Sequence, residues 1–292
     1  MIPAAFDYLR AHTADEAFAF LQQHGAEARV LAGGQSLIPA MRFRLARPGV
    51  LVDINSLSDL GYLRISNTAL TIGAIARDSD IERAPWLGER RWSLIHDTAQ
   101  VVADPVVRQM GTVVGSLCHN DPAGDWTTTA LASRATVAVR GTGGTRSVPI
   151  DEFLVDSFAT AVGEGEMALG AEFPIPDDRT AGSYQKVERK VGDFATAAAA
   201  VQVSLNANGT IRAAGVALSA AGACAVRVDE AERILVGQTP TAALIRAAAD
   251  AASRRSEPQA DLRGSVEYKK HLAGVLVARG LRQALARLEV RA

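Results

Sequence analysis

One short segment constrains the fold of this chain more than any other. The run Ala28–Leu31 has the composition of a β-strand and breaks abruptly into residues 32–36, of sequence AGGQS. Glycines let main-chain N–H groups approach a phosphate without a Cβ in the way, and Ser36 adds a hydroxyl donor. The segment therefore predicts a phosphate-binding loop after a strand. The alternative is an ordinary tight turn, which paired glycines often make.

The residues around this segment predict a β–α–β-like opening unit. Thr13 and Glu16 have the spacing of a capping box, apolar residues follow on one helical face, and His24-Gly25 ends the helix. Residues 50–54 read as a second strand. Because the glycine segment is neither G-x-G-x-x-G nor followed by G-K-S/T, the Rossmann and P-loop classes are excluded.

The rest of the chain alternates short strands with helices. Predicted strands lie at 62–65, 69–75, 135–140, 167–173, 184–190, 197–205 and 211–219. Strands 135–140 and 167–173 are expected to flank a turn at 141–144. Predicted helices lie near 94–102, after an N-cap at Thr239-Pro240, and after Ser265. Strands in every third, with helices outside them, predict an α+β fold with a boundary near 174–178.

Composition excludes several functional classes. The chain of 292 residues has 31 basic and 32 acidic side chains, which is not the charge of a nucleic-acid-binding protein. Cys118 and Cys224 are too few for a four-thiolate iron–sulfur site, and no histidine pair has metal-ligand spacing. No apolar run approaches the ~20 residues of a transmembrane segment. The N-terminus lacks a secretory signal, so we expect a cytoplasmic protein without a metal.

A second segment of small residues, 112–116 with sequence TVVGS, is expected to form another loop. Neither segment contains a lysine. Two donor-rich loops of this kind suit a diphosphate that is held by peptide dipoles. A dinucleotide is too long for one loop to bind, whereas the pair could hold it. If the protein moves electrons, an organic cofactor must carry them.

Four blocks of sequence, in this order, resemble the FAD-binding medium subunits of the molybdenum hydroxylases, the xanthine dehydrogenase family. The aerobic carbon monoxide dehydrogenase branch is the nearest in pattern. The blocks extend over nearly the whole chain and lie at 31–39, 103–125, 184–195 and 261–268. Together they identify the family more strongly than any one of them would.

The resemblance implies an α+β fold made of two parts. The first is an FAD-binding fold of the vanillyl-alcohol-oxidase or PCMH type, with two subdomains. The second is a C-terminal α+β domain of the CO dehydrogenase flavoprotein type. The expected domains are 1–60 and 61–176 for the two FAD-binding subdomains, and 177–292 for the C-terminal domain.

The resemblance also implies the cofactor-binding residues, and it implies no catalytic residue. Asp125 matches an acidic position that bonds sugar hydroxyls of FAD, Tyr184 an aromatic beside the isoalloxazine, and Lys186 a cation that would stabilise the reduced flavin. The diphosphate loops would be Ala32, Gly33, Gly34, Gln35, Ser36 and Leu37, and Thr112, Val113, Val114, Gly115 and Ser116. Without the resemblance, Asp125 reads as a helix N-cap. Tyr184 and Lys186 then read as one buried and one solvated side chain of a strand.

The second loop departs from the pattern of the family. That loop usually reads Thr-Ile-Gly-Gly, and Val113 and Val114 stand here in place of the Ile-Gly pair. Since valine adopts a positive φ only at a cost, we expect either an extended backbone at this position or a reshaped loop. Gln35 also stands where the family often has histidine.

The resemblance implies a role within a larger complex. A large subunit would hold a molybdenum cofactor, a small subunit two [2Fe–2S] clusters, and this chain FAD. The flavin would take electrons singly from the nearer cluster and release them in pairs to a quinone or another acceptor. We expect a heterotrimer, doubled by a two-fold axis, that could lie against the inner face of the membrane. The chain is not expected to turn over substrate alone.

Three alternatives stay open. The same kind of subunit could serve a hydroxylase of N-heterocycles or aldehydes. The chain could be a self-sufficient flavin oxidase of the same fold superfamily. It could also be a cofactor-free interaction module whose alanine-rich helices form a docking surface.

Overall fold

The computed structural model describes residues 2–289, so the predicted domain limits at residues 1 and 292 lie outside the described residues. The α-helices are α1 Ala14–His24, α2 Leu37–Arg42, α3 Asp78–Glu82, α4 Ser93–Val101, α5 Pro105–Arg108, α6 Val113–His119, α7 Asp125–Ser133, α8 Ile150–Phe153, α9 Asp229–Leu235, α10 Ala242–Arg255 and α11 Val266–Arg287. The strands are β1 Asp7–Arg10, β2 Ala28–Leu31, β3 Val50–Asp53, β4 Leu63–Ile65, β5 Ala69–Gly73, β6 Thr136–Gly141, β7 Gly144–Pro149, β8 Leu154–Asp156, β9 Ala159–Thr160, β10 Met167–Pro174, β11 Thr180–Val187, β12 Ala197–Leu205, β13 Ile211–Ser219 and β14 Val226–Arg227.

The first sheet has three parallel strands, with β3 between β1 and β2. Helix α1 starts where predicted, since Thr13 Oγ1 accepts the N–H of Glu16 (3.1 Å), and it ends at Gly25 with φ 50°. Helix α2 makes the crossover from β2 to β3, so the predicted β–α–β-like unit is confirmed. The crossover leaves the glycine segment at the end of β2, where α2 begins.

The second sheet is antiparallel and has the strand order β4-β5-β10-β6-β7. The predicted strands at 62–65 and 69–75 are confirmed as β4 and β5, which pair antiparallel as a hairpin. The expectation that 135–140 and 167–173 flank one turn is wrong, because β6 turns into β7 and β10 pairs with the other side of β6. The sequence does not predict strand β7, because its side chains are mostly exposed and show no alternation of apolar and polar residues.

The third sheet, β11-β12-β13-β14, is buried on both faces. Helices α4 and α7 pack on one face, and α9 and α11 pack on the other, where α10 covers these two helices. Along β12, Ala198 and Ala200 join the first core, whereas Ala199 and Val201 join the second. Successive residues of a strand face opposite sides, so this small-residue strand serves both cores.

Two boundaries in the C-terminal third differ from the prediction. Helix α10 begins after Thr241, whose Oγ1 accepts the N–H of Leu244 (3.1 Å), so the predicted cap at Thr239 is wrong. Pro240 precedes this cap and does not occupy the first helical turn. Strand β11 begins at Thr180, earlier than predicted, and ends at Val187. The cap of α11 at Ser265 is confirmed by its bond from Tyr268 N–H (3.2 Å).

Side-chain contacts fasten the third sheet to the rest of the protein. Arg287, at the end of α11, forms a bidentate ion pair with Asp97 of α4, with both N–O distances 2.8 Å. Strands β8 and β9 form a further two-stranded sheet. We propose that the three larger sheets correspond to the three predicted domains. Among residues 2–289, no helix is both long and apolar enough to cross a bilayer.

Candidate cofactor-binding site

The first glycine segment touches the two residues that lead into the second segment. Gly33 is buried, and a Cβ there would overlap with the carbonyl oxygen of Met110 and lie 3.0 Å from the Cα of Gly111. Gly34 has φ 71°, a conformation that glycine adopts without strain. The structure therefore places the first segment beside the residues that immediately precede the second one. Glycine is required at position 33 because the backbones are in contact.

The first segment presents backbone donors that have no acceptor in the described part of the protein. Within residues 2–289, the N–H groups of residues 33–36 have no protein acceptor. Two carbonyl groups of the same stretch are used, since Gly34 and Ser36 accept from the N–H groups of Ile38 (3.0 Å) and Ala40 (3.1 Å). Successive backbone N–H groups of this kind form a concave site that suits an anionic ligand such as a diphosphate.

The second segment is the start of a helix, so the predicted loop at 112–116 is wrong in its conformation. Thr112 caps α6, and its Oγ1 accepts the N–H of Gly115 (3.0 Å). Val113 and Val114 are helical and 0% and 2% exposed, so their side chains belong to the core. Neither valine needs a positive φ, which resolves the departure from the family pattern. Their N–H groups lie in the first turn, where no intrahelical acceptor exists.

Two residues that the sequence did not single out join the segments. Arg77 donates from Nη1 to the carbonyl of Met110 (2.7 Å) and from Nη2 to Oδ1 of Asn55 (2.6 Å). Asn55 in turn donates from Nδ2 to the carbonyl of Ala32 (2.8 Å). A cation therefore stands beside the segments, although neither contains a lysine. No motif marks Arg77, because only the tertiary fold brings it here.

The buried carboxyl group of Asp78 packs against Gly111, the residue before the second segment. The side chain of Asp78 accepts the indole N–H of Trp126 (3.0 Å), and its own N–H donates to the carbonyl of Gly111 (2.9 Å). A Cβ on Gly111 would overlap with Asp78 Oδ2. Burial raises the pKa of Asp78 to about 7, against the opposing effects of Trp126 and Arg108. Asp78 thereby links the segments to the start of α7.

Asp125, Tyr184 and Lys186 form a buried cluster at the start of α7. Asp125 accepts the hydroxyl of Tyr184 on Oδ1 (2.8 Å) and the ammonium of Lys186 on Oδ2 (3.0 Å). The ammonium also donates to the carbonyl of Val101 (3.1 Å). Because residues two apart on a strand share a face, Tyr184 and Lys186 point the same way. The alternative of one buried and one solvated side chain is wrong.

The charged groups of this cluster are paired with one another and shielded from solvent. Burial raises the pKa of Asp125, while Lys186 and Tyr184 oppose that rise. Burial also raises the pKa of Tyr184 well above its ordinary value, and Asp125 adds to the effect. Glu188 lies 3.2 Å from the ammonium, so Lys186 faces two carboxylates. Its attraction for a reduced flavin would therefore be partly offset.

The position of Asp125 rules out one alternative for it. Asp125 is the first residue of α7, and Gly124 is the N-cap, so the N-cap interpretation is wrong. A carboxylate in the first turn is still favoured by the helix dipole. The cluster and the glycine segments are connected through Trp126, which follows Asp125 and bonds to Asp78.

The comparisons with known proteins cover nearly the whole chain. Residues 4–176 match the FAD binding domain in molybdopterin dehydrogenase, and residues 182–284 match the CO dehydrogenase flavoprotein C-terminal domain. The chain is 36% identical to the carbon monoxide dehydrogenase medium chain of Hydrogenophaga pseudoflava, covering 98% of this chain and 99% of that one. It is 33% identical to subunit alpha of the 6-hydroxypseudooxynicotine dehydrogenase complex of Paenarthrobacter nicotinovorans, covering 98% and 97%.

A solved structure agrees with these matches. A chain of the carbon monoxide dehydrogenase from Hydrogenophaga pseudoflava superimposes with a TM-score of 0.94 at 37% identity, covering 98% of this chain and 99% of that one. The predicted α+β class, with an FAD-binding part and a flavoprotein-type C-terminal domain, is thereby confirmed. The chain belongs to the FAD-binding subunit family of the molybdopterin dehydrogenases, the molybdenum hydroxylases.

Proposed function

We propose that this chain holds FAD between its two glycine-bearing segments and passes electrons through it within a molybdenum hydroxylase complex. The observation that carries the proposal is the set of N–H groups at residues 33–36, which have no acceptor among residues 2–289. Gly33 also packs against Met110 and Gly111, which lead into α6. Donors in this arrangement fit a diphosphate, which the FAD-binding domain of the family requires.

The proposed FAD contacts are taken from the family pattern, and the packing of Gly33 against Met110 supports the diphosphate contact. The diphosphate would lie against Ala32–Leu37 and Thr112–Ser116. Asp125 would bond a sugar hydroxyl, with Tyr184 and Lys186 nearer to the ring system. When bound, FAD supplies the change between one-electron and two-electron transfer, and the protein orients it and excludes water.

The proposed partners and acceptor come from the relatives. Two relatives are named as medium chains of carbon monoxide dehydrogenase and one as a subunit of a dehydrogenase complex. We infer a large subunit with the molybdenum cofactor, a small subunit with two [2Fe–2S] clusters, and a quinone as the final acceptor. The complex would be cytoplasmic and would meet a membrane quinone at the inner face of the membrane.

Carbon monoxide is the first substrate to test for the complex. The medium chain of carbon monoxide dehydrogenase is 36% identical, but the 6-hydroxypseudooxynicotine dehydrogenase subunit, at 33%, is almost as similar. Because the two identities differ by so little, a hydroxylase of N-heterocycles is the second candidate. The substrate would be bound by the large subunit, so residues of this chain do not discriminate between the two.

The visible spectrum of the purified chain tests the cofactor proposal. We expect the full chain, reconstituted with FAD and desalted, to keep flavin absorption bands and quenched flavin fluorescence. A folded chain that stays colourless after incubation with FAD would contradict the proposal and favour the interaction module. Steady turnover of a substrate by the isolated chain would favour the self-sufficient oxidase.

The complex itself tests the electron-transfer proposal. The tagged chain should copurify from its native host with two other subunits, molybdenum and iron. Reduction of a quinone by this complex should depend on carbon monoxide under the first candidate and on an N-heterocycle under the second. A complex without molybdenum would contradict both.

A further inference from the structure

We propose that Arg77 and Asn55 are positioning residues, which hold the two cofactor segments at the separation and orientation that a diphosphate requires. This inference rests on the proposed function, because it assigns a role to residues beside the same site. The two side chains form a continuous bridge, defined here as the Asn55–Arg77 clamp. It runs from the carbonyl of Ala32 to the carbonyl of Met110.

The Asn55 end of the clamp is anchored on the first sheet. Both the N–H and the side-chain amide of Asn55 donate to Oδ1 of Asp53, at 2.8 and 2.6 Å. The other oxygen of Asp53 accepts the hydroxyl of Tyr8. Asp53 ends β3, the central strand of the sheet. The amide that bonds to Ala32 therefore has little freedom to move.

The Arg77 end is anchored on the second segment. Arg77 pairs with Thr112 in an isolated antiparallel bridge, and its N–H donates to Asp80 Oδ2 (2.9 Å). Its guanidinium is half-buried, and burial lowers its pKa against the opposing effects of Asp80, Asp53 and Asp78. An arginine in this setting keeps its charge and its fixed fork of donors.

Peptide planarity connects the clamp to ligand binding. The carbonyl of Ala32 and the N–H of Gly33 belong to one rigid plane and point in opposite directions. Because Asn55 fixes that carbonyl, it also fixes the direction in which the N–H of Gly33 points, away from Asn55 and without a protein acceptor among residues 2–289. Arg77 likewise fixes the carbonyl of Met110, against which Gly33 packs.

FAD titrations of the full chain test the clamp, followed by quenching of flavin fluorescence. Arg77→Met should raise the Kd for FAD at least about tenfold, since it removes two hydrogen bonds from a charged donor. Arg64→Met is the matched control, because Arg64 is an exposed arginine stacked on Tyr62, 4.2 Å from its ring centroid. The control should bind FAD like wild type. Circular dichroism at the titration temperature establishes that each variant is folded.

Two further variants separate positioning from charge and from loss of structure. Arg77→Lys keeps the charge but lacks the fork, so it should bind FAD nearly as weakly as Arg77→Met. Asn55→Ala added to Arg77→Met should weaken binding little further, because the two residues act as one unit. Wild-type affinity in Arg77→Lys, or fully additive losses in the double variant, would overturn the clamp.

The outcomes also separate the clamp from the proposed function. A folded wild-type chain that does not bind FAD would contradict the proposed function itself. Tight binding by the wild type together with equal binding by Arg77→Met would overturn the clamp and leave the proposed function standing.

Discussion

Two groups of residues were expected to touch the same cofactor, and the structure gives them opposite hydrogen-bonding states. The glycine segments present N–H groups that the described part of the protein leaves unbonded. Asp125, Tyr184 and Lys186 instead bond to one another in a buried cluster. The family pattern identifies both groups equally well. Only the structure separates donors that are available to a ligand from donors that already stabilise the fold.

This difference predicts that the two groups fail in different ways when mutated. Changes in the buried cluster should lower the free energy of unfolding first and FAD affinity second. Changes in the glycine segments should lower FAD affinity at a smaller cost in stability. Measurements on Lys186, Asp78, Gly33 and Thr112 test this contrast, and the expected effect on stability decreases in that order.

The largest loss of stability should follow from Lys186→Met. This variant leaves the carboxylates of Asp125 and Glu188 without their buried cation, which typically costs about 3–5 kcal/mol. Urea denaturation of the variant measures the loss. Adding Asp125→Asn should recover part of it, because the uncompensated charge is removed. Wild-type stability in Lys186→Met would contradict the account of this cluster.

Asp78 predicts a fall in stability with rising pH. Its pKa is raised to about 7 in the folded protein, so the folded state holds a proton that the unfolded state releases near pH 4. The stabilisation is present below pH 4 and is lost as the pH rises through about 7, by at most about 4 kcal/mol. Asp78→Asn, which keeps the acceptor for Trp126, should lose less stability than wild type between pH 5 and pH 8. Identical profiles would contradict the raised pKa.

Gly33→Val should abolish FAD retention with a moderate loss of stability, about 1–3 kcal/mol from overpacking. The sequence suggests that the side chain would enter the space of the diphosphate. The structure adds a second cause, because the Cβ would overlap with the carbonyl of Met110 and push the segments apart. Gly143→Val is the control, since a Cβ there has nothing within 4 Å. If Gly33→Val folds and retains FAD, the assignment of this segment is wrong.

The smallest effect should come from the cap of the second segment. Thr112→Val keeps the shape of the side chain but loses the bond to the N–H of Gly115, which should cost about 1 kcal/mol. Thr112→Ser keeps the hydroxyl and should be close to wild type. Thermal unfolding compares the two variants. Equal midpoints for Thr112→Val and wild type would mean that the cap does not stabilise α6.

Much of this fold could be predicted from the sequence because helix caps and glycine turns are marked by short-range residue patterns. Thr13 and Ser265 are short-range signals, and each caps its helix as expected. The glycines at 33 and 34 follow strand β2, also as expected. The segment after Thr112 was mistaken for a loop because small residues suggest turns. Its valines turn out to be core residues of a helix.

The residues that sequence reasoning missed depend on contacts between distant parts of the chain. Arg77 and Asn55 meet only because β3 and the start of α3 lie side by side in the fold. Asp78 reads as an ordinary acidic residue of a helix start, and only its burial under Gly111 reveals its unusual environment. Local pattern carries no information about such contacts.

The most direct test of the central claim is a crystal structure of the chain, or of its complex, with FAD bound. We expect diphosphate oxygens within hydrogen-bonding distance of N–H groups in both segments, at residues 33–36 and at the start of α6. The side chains of Asp125, Tyr184 and Lys186 should keep their mutual bonds. A diphosphate that contacts only one segment, or lies elsewhere, would contradict the account.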